Sequence, residues 1–137
     1  AEAIVNRCNA ELANSFGNLA QRTLSMVFKN LDGIIPPPGE DPTDLRLLEQ
    51  VDKGVDALSA EFARLAFSQG LEAWMAAVFA CNAYVDEMAP WALRKSDPAR
   101  MAAVLGTLVA AIRRLAIAVV PVIPSSAQQV IATIDSG

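Results

Sequence analysis

Apolar residues recur at spacings of three and four along nearly the whole chain, and stretches of strict alternation are absent. This periodicity predicts amphipathic helices and no strands. The first predicted helix runs from about Glu2 to Asn30 and ends before Asp32 and Gly33. Its apolar side carries Val5, Leu12, Phe16, Leu19, Thr23 and Val27. A loop through Pro36–Gly39 follows, because a helix cannot continue through consecutive prolines.

The second predicted helix begins at Asp41, which can cap it, and Pro42, which suits a first helical turn. Asp44 places a further carboxylate near the positive end of the helix dipole. The predicted apolar stripe is Leu45, Leu48, Val51, Leu58, Phe62 and Leu65. The pattern restarts around Phe67–Gly70, where Ser68 is the candidate cap of a third helix. The buried side of that helix is predicted to hold Leu71, Trp74, Met75, Val78, Phe79 and Val85.

Pro90 ends the third helix, and a short non-helical link, Trp91–Ser96, leads to a new helix start at Asp97 and Pro98. The fourth helix is predicted to bury Met101, Val104, Leu105, Leu108, Ile112, Leu115 and Val119. Two prolines after residue 120 break it, and a short closing helix is predicted over residues 125–134. Four long helices and a short one at the end of the chain predict an all-α bundle.

Length and composition agree with one packed domain. A chain of 137 residues with 53% hydrophobic side chains can bury a core, and we expect a single domain over residues 1–137. The apolar stretch Met101–Ile112 is closed by Arg113 and Arg114, which makes it too short to span a bilayer and predicts a core helix. The chain begins without Met and without a signal-peptide pattern, so we expect one domain of a longer cytoplasmic protein.

The cysteines do not predict a metal site. Cys8 and Cys81 lie far apart, and no histidine occurs in the chain. A usual zinc site needs three or four ligands, mostly thiolates and imidazoles. We therefore expect no metal and no other cofactor in this domain, and two buried structural thiols in a reducing compartment.

The net charge of −4 argues at first against a nucleic-acid partner. The charges are unevenly distributed, however. Residues 32–72 contain nine acidic and three basic side chains, whereas residues 1–31 contain two and three, and residues 73–137 contain four and five. The acidity is thus confined to one segment that could face away from a polyanion, and the overall charge does not decide the question.

A polar stripe follows the first predicted helix. Residues four apart are rotated by about 40°, so one arc of roughly 80° holds Arg7, Glu11, Asn14, Asn18, Arg22, Ser25 and Lys29. An ordinary solvated face is one interpretation. Asparagine, however, costs up to about 0.7 kcal/mol relative to alanine in a helix interior. Amide and guanidinium groups on successive turns also suit the reading of base edges, which is the second interpretation.

The predicted link after the third helix contains an aromatic residue next to two cations. The ring of Trp91 either packs into the bundle or is an exposed platform, worth roughly 1–3 kcal/mol per stacked base. Arg94 and Lys95 follow it and could reach phosphates. Trp74, in contrast, lies on the apolar stripe of its helix and is predicted to belong to the core.

Two carboxylates, Asp86 and Glu87, lie near the C-terminal end of the third predicted helix. Negative charges there oppose the helix dipole by about 0.3–1 kcal/mol, so a cationic partner is expected for at least one of them. Asp86 is predicted to hold the guanidinium of Arg22. A solvated surface charge is the alternative.

Two of these segments resemble a known family. Asn14–Arg22, with the sequence NSFGNLAQR, and Asn82–Trp91, with the sequence NAYVDEMAPW, closely resemble bacterial methionyl-tRNA synthetases. The resemblance covers essentially the whole chain and implies a helical bundle that binds the CAU anticodon of methionine tRNA. It implies that Trp91 stacks on the wobble cytosine and that Asn18 and Arg22 bond to anticodon bases, with Asn14 supporting or extending that contact.

The resemblance also implies what lies outside the chain. The catalytic domain of the same parent chain would supply ATP- and magnesium-dependent methionine–tRNA ligation, and an optional zinc site would belong to that part. The chain carries neither nucleotide-binding signature of the family, so it should have no catalytic activity by itself. The expected partners are the tRNA and the catalytic domain, in the cytoplasm, without membrane or DNA.

Three other interpretations compete with this one. An exposed Trp91 could anchor a partner helix in a protein-interaction module. Such a module predicts a wide apolar patch around Trp91, against which the neighbouring Arg94 and Lys95 argue. The chain could instead be the anticodon domain of a leucyl or valyl synthetase, against which the Asn18–Arg22 spacing and the Pro90-Trp91 pair argue. A free-standing enzyme has the least support, because no constellation of base, nucleophile or metal ligands is visible.

Overall fold

The computed structural model describes residues 2–64 and 67–119. Within these ranges the chain forms five helices and no strand, which confirms the all-α bundle. The helices are α1 (Glu2–Leu31), α2 (Pro42–Ala63), α3 (Phe67–Met88), α4 (Pro90–Ser96) and α5 (Pro98–Val119). The predicted closing helix at residues 125–134 lies outside the described residues.

The helix ends follow from local sequence. At the start of α5, the carboxylate of Asp97 accepts a hydrogen bond from the main-chain N–H of Arg100 at 3.1 Å, as expected of a cap. The α2 helix begins at Pro42, also as predicted. The predicted cap of α3 was wrong. Ser68 is the second residue of the helix, whereas a cap residue must precede the first.

The core contains the side chains that the periodicity of α3 and α5 indicates. Trp74 is fully buried, its indole N–H donates to the carbonyl of Leu115 at 3.0 Å, and its ring meets that of Phe16 edge-on at 5.2 Å between centroids. The other large, fully buried side chains are Leu19, Leu58, Leu105, Leu108, Ile112, Leu115, Val27, Val51 and Val78. Trp74 is thereby confirmed as a core residue.

Two residues predicted to be buried lie on the surface. Leu45 is 55% exposed and Phe79 is 58% exposed. Leu45 is rotated by about 120° from Val51, whereas Leu47 lies within about 40° of it and takes the buried position instead. Phe79 is likewise rotated by about 120° from Val85. The side chains of Leu12, Phe62 and Leu65 lie outside the described residues.

The apolarity of α5 is explained by its packing. Residues Pro98–Ala118 form a helix of 21 residues with a mean hydropathy of 1.7, which by length and composition could cross a membrane. Arg113 and Arg114 do not exclude this by themselves, contrary to the sequence argument. Burial decides the matter, because 61% of the apolar window lies inside the bundle, where α1, α2, α3 and α4 pack against the helix.

The proline-rich loop is held against α5 by close backbone contacts. The main-chain N–H of Gly39 donates to the hydroxyl of Thr107 at 2.8 Å. A Cβ atom on Gly106 would lie 2.2 Å from the carbonyl oxygen of Pro37, so only glycine permits this approach. The loop therefore brings the start of α2 to a fixed place beside α5.

A buried carboxylate joins the start of α2 to α3 and α5. Asp44 is fully buried, and it accepts hydrogen bonds from the hydroxyl of Tyr84 and from the guanidinium of Arg100. Burial alone would raise the pKa of Asp44, but the bonds from Arg100 and Tyr84 and the charge of Arg100 outweigh it, so the pKa lies below its usual value. Burial and the same carboxylate raise the pKa of Tyr84.

Candidate nucleic-acid interface

A shallow open groove lies between α1 and α3. Its volume is about 650 Å³ and all of its lining residues are polar: Ser15, Asn18, Gln21, Arg22, Ser25 and Asn82. Five of them come from α1 and one from α3. The groove thus offers hydroxyl, amide and guanidinium groups, which together can donate and accept hydrogen bonds.

The groove side of α1 is the polar stripe seen in the sequence. Asn14, Asn18 and Arg22 are exposed, while Phe16 and Leu19 on the opposite side are buried. Asn18 and Arg22 line the groove, and Asn14 is exposed one turn earlier without lining it. The side chains of the first two members of the stripe, at positions 7 and 11, lie outside the described residues.

The predicted contact between Arg22 and Asp86 is present. A guanidinium nitrogen of Arg22 lies 3.7 Å from a carboxylate oxygen of Asp86, and the two side chains are 46% and 72% exposed. An ion pair this exposed contributes little to stability. Its effect is positional, because it directs the guanidinium toward the C-terminal end of α3.

Asn82 is a groove residue that was not predicted from the sequence. Its side-chain N–H donates to the main-chain carbonyl of Val78 at 3.3 Å, and no described group donates to its side-chain oxygen. The amide of this groove-lining residue is therefore anchored to its own helix through its N–H group. Its position four residues before Asp86 could have placed it on the same helix face.

Trp91 belongs to a helix and not to the predicted link. It is the second residue of α4, directly after the buried Pro90, and it is 52% exposed. Pro90 ends one helix and occupies the first turn of the next, and only the first of these roles was predicted from the sequence. Ala89 makes the change of direction between the helices with a left-handed backbone, φ 44° and ψ 62°. The ring of Trp91 is thus available on the surface.

The two cations predicted near Trp91 lie in the last turn of α4. Arg94 and Lys95 are both exposed, at the end of the helix where positive charge is favourable. Trp91 follows Asp86 by five residues, so their Cα atoms are at most about 18 Å apart. The structure therefore brings Asn18, Arg22 and Asp86 together and places Trp91, Arg94 and Lys95 on a neighbouring element outside the groove lining.

Cys81 is a buried, protonated thiol. Burial raises its pKa to about 12, which suppresses the thiolate that metal binding and redox chemistry require. Its burial agrees with the predicted structural role, while the side chain of Cys8 lies outside the described residues. Across residues 2–64 and 67–119, no group of three or more Cys, Asp or Glu side chains is arranged to hold a metal ion.

Residues 35–137 match the family model described as the anticodon-binding domain of methionyl tRNA ligase. The chain belongs to this family. Family membership decides against an anticodon domain of the leucyl or valyl type and against a free-standing enzyme.

Relatives extend the similarity of this anticodon-binding domain over α1 as well. The methionine–tRNA ligase of Brucella suis is 45% identical over 131 residues, which is 95% of the chain and 25% of that protein. The enzyme of Mycobacterium leprae is 44% identical over 131 residues, covering 92% and 24%. The crystal structure of the apo form of Mycobacterium tuberculosis methionyl-tRNA synthetase superposes with a TM-score of 0.84 at 40% identity, over 96% of the chain and 28% of that structure. The chain thus spans about a quarter of the relatives' length.

Proposed function

We propose that this domain binds the CAU anticodon of methionine tRNA and so selects the tRNA for a methionine–tRNA ligase. The observation that carries the proposal is the groove between α1 and α3, whose lining residues bring hydroxyl, amide and guanidinium groups to one place on a domain of this family. Unpaired bases of an RNA loop present edges that such groups can bond and faces that aromatic rings can stack on.

Each site residue has a distinct role in this proposal. Asn18 and Arg22 hydrogen-bond to anticodon bases from the groove, and Asn14 extends that contact one turn earlier. Trp91 stacks on the wobble cytosine, a role that its half-exposed ring supports. Asp86 orients the guanidinium of Arg22 through the contact at 3.7 Å.

The charge distribution is compatible with a polyanionic ligand. Arg94 and Lys95 at the end of α4 are placed to contact phosphates. Many of the acidic side chains lie on α2. Both α1 and α2 pack mainly against α3 and α5 rather than against each other. The negative charge of α2 is therefore separated from the polar stripe of α1.

The remaining parts of the function belong to a longer parent protein. A catalytic domain of the same chain would use ATP with Mg²⁺, and any zinc would be bound there, while the domain described here needs no cofactor. We expect this chain to show no methionine activation by itself. The expected compartment is the cytoplasm, and neither a membrane nor DNA is an expected partner.

The test is binding of anticodon stem-loops to the chain, measured by fluorescence anisotropy at a low and a moderate salt concentration. The CAU stem-loop should bind more tightly than each single-base anticodon variant, and this preference should persist at both salt concentrations. Equal binding of all stem-loops, with affinity governed by salt alone, would overturn the proposal. A stem-loop with an unchanged triplet but altered stem pairs is the matched control and should bind as the CAU stem-loop does.

A further inference from the structure

Phe79 is a large aromatic side chain on the surface of α3. The residue is 58% exposed. A single exposed apolar residue is ordinary and carries no conclusion by itself. The position of Phe79 relative to the groove is what distinguishes it from other exposed apolar residues such as Leu45 on α2.

Helix geometry places Phe79 beside the groove. Asn82 follows it by three residues and Asp86 by seven, which rotates them by about 60° and about 20° from Phe79 on α3. Asn82 lines the groove and Asp86 contacts Arg22 from α1. Phe79 therefore lies about 4.5 Å before Asn82 along the helix axis, at the edge of the groove side of α3 and outside the lining itself.

The neighbours of Phe79 on α3 do not cover its ring. On the exposed side of α3, the residues one turn before and one turn after it are Ala76 and Ala83, both exposed. Alanine is too short to cover a phenyl ring. Within α3, the nearest charged residues on this arc are the carboxylates Glu72 and Asp86, two turns away, which disfavour a phosphate at the ring. The cations Lys53 and Arg46 of α2 line separate clefts with Ala76 and Ala83, respectively.

From this placement we infer that Phe79 is a second stacking platform, which binds a base of the tRNA loop other than the one on Trp91. The inference rests on the proposed function, because it needs an RNA loop in the groove. Trp91 lies on α4, beyond the C-terminal end of α3, and Phe79 lies in the middle of α3. The two rings therefore serve different nucleotides, with the hydrogen-bonding groups of the groove available to the same loop. Stacking tolerates any base, so Phe79 contributes affinity and not sequence preference.

The test compares Phe79→Ala, Phe79→Leu and Phe79→Trp in stem-loop titrations. Phe79→Ala should weaken binding roughly tenfold, by the same factor for the CAU stem-loop and for its single-base variants. Phe79→Leu keeps an apolar side chain but removes the ring, so it should resemble Phe79→Ala, whereas Phe79→Trp should retain binding. Leu45→Ala, a comparably exposed position on α2, is the matched control and should leave binding unchanged.

A spectroscopic measurement locates the stacked base. 2-Aminopurine is placed at each loop position of the CAU stem-loop in turn, and stacking changes its fluorescence. One position should respond to the parent chain and lose that response with Phe79→Leu, while a different position should depend on Trp91. If Phe79→Leu binds the stem-loop and changes the 2-aminopurine fluorescence as the parent does, Phe79 does not stack on a base. Its ring would then be only an apolar surface group. If the parent itself fails to prefer CAU, it is the proposed function that fails.

Discussion

Arg100 donates two parallel hydrogen bonds to the carboxylate of Asp44, at 2.7 and 2.9 Å, across 56 residues of sequence. The same guanidinium lies 3.1 Å from Asp41 and 3.6 Å from the sulfur of Met88, at the end of α3. One side chain at the start of α5 thus joins the start of α2 to the segment that leads into α4. These contacts of Arg100 therefore help to position the helix that carries Trp91.

Removing that guanidinium should be costly. Arg100→Ala leaves the buried carboxylate of Asp44 without its cationic partner, and we expect the free energy of unfolding to fall by about 3–5 kcal/mol. Urea denaturation followed by circular dichroism measures the change. Arg114→Ala is the control, because its bond to Asp52 at 3.1 Å is exposed and should contribute less than about 1 kcal/mol. Equal losses in the two variants would contradict this assignment.

Stability should decline in acid because of the same carboxylate. The pKa of Asp44 lies below its ordinary value of 3.8 in the folded protein, so its contribution is complete above about that pH. The contribution is lost as the pH falls through the folded pKa. Asp44→Asn should be less stable than the parent at neutral pH and should lose less stability below pH 4. Parallel curves for parent and variant, from unfolding at a series of pH values, would exclude Asp44 as the titrating group.

Substitutions of the two tryptophans should have different effects on stability and on RNA binding. Trp74→Ala should lower the free energy of unfolding by about 3–5 kcal/mol, because it empties a fully buried position. Trp91→Ala should change stability little and weaken binding of the CAU stem-loop, since its half-exposed ring is proposed to stack on a base. Thermal unfolding and stem-loop titration of both variants provide the comparison. A large loss of stability in Trp91→Ala would identify its ring as part of the core.

Base recognition and charge attraction can be distinguished with Asn18 and Lys95. Asn18 is uncharged, so Asn18→Ala should reduce the preference for CAU by about 1–3 kcal/mol and leave the salt dependence of binding unchanged. Lys95→Ala should weaken all stem-loops about equally and flatten the salt dependence. Titrations at several salt concentrations measure both quantities. An unaltered preference for CAU in Asn18→Ala would identify the α1 stripe as a solvated face.

The contact between Asp86 and Arg22 gives a further test. If Asp86 orients the guanidinium, Asp86→Ala should reduce the CAU preference in the same way as Arg22→Ala. Glu87→Ala removes an equally charged and exposed neighbour, and it should leave the preference unchanged. Stem-loop titration of the three variants is the measurement. Matching behaviour of the two carboxylate variants would show that only overall charge matters.

Much of the fold could be predicted because the helices follow local rules. The cap at Asp97 and the buried stripe of α5 depend on residues within a few turns of each other. The α4 helix escaped prediction because Pro90 both ends and begins a helix. Phe79 was assigned to the core because of its hydrophobicity, although its spacing from Val85 already rotates it by about 120° from the buried side of α3, and the structure shows it exposed.

The candidate site was predictable where it follows one helix and less so where helices meet. Asn18 and Arg22 share a face of α1 by spacing alone, whereas Asn82 enters the groove only through the packing of α3. Asp44 shows the same limit for the core. Its local position suggested a favourable charge at a helix start, but its partners Tyr84 and Arg100 lie 40 and 56 residues away. Sequence spacing does not reveal such partners.

The left-handed backbone of Ala89 has a kinetic consequence. Pro90 locks its own φ directly after the bend at Ala89, and we expect this to reduce the number of conformations open to the segment that carries Trp91. A ligand that meets such a surface finds its docking geometry already formed. Association should then proceed in a single exponential phase whose rate rises linearly with stem-loop concentration. Affinity differences among variants should appear mainly in the dissociation rate.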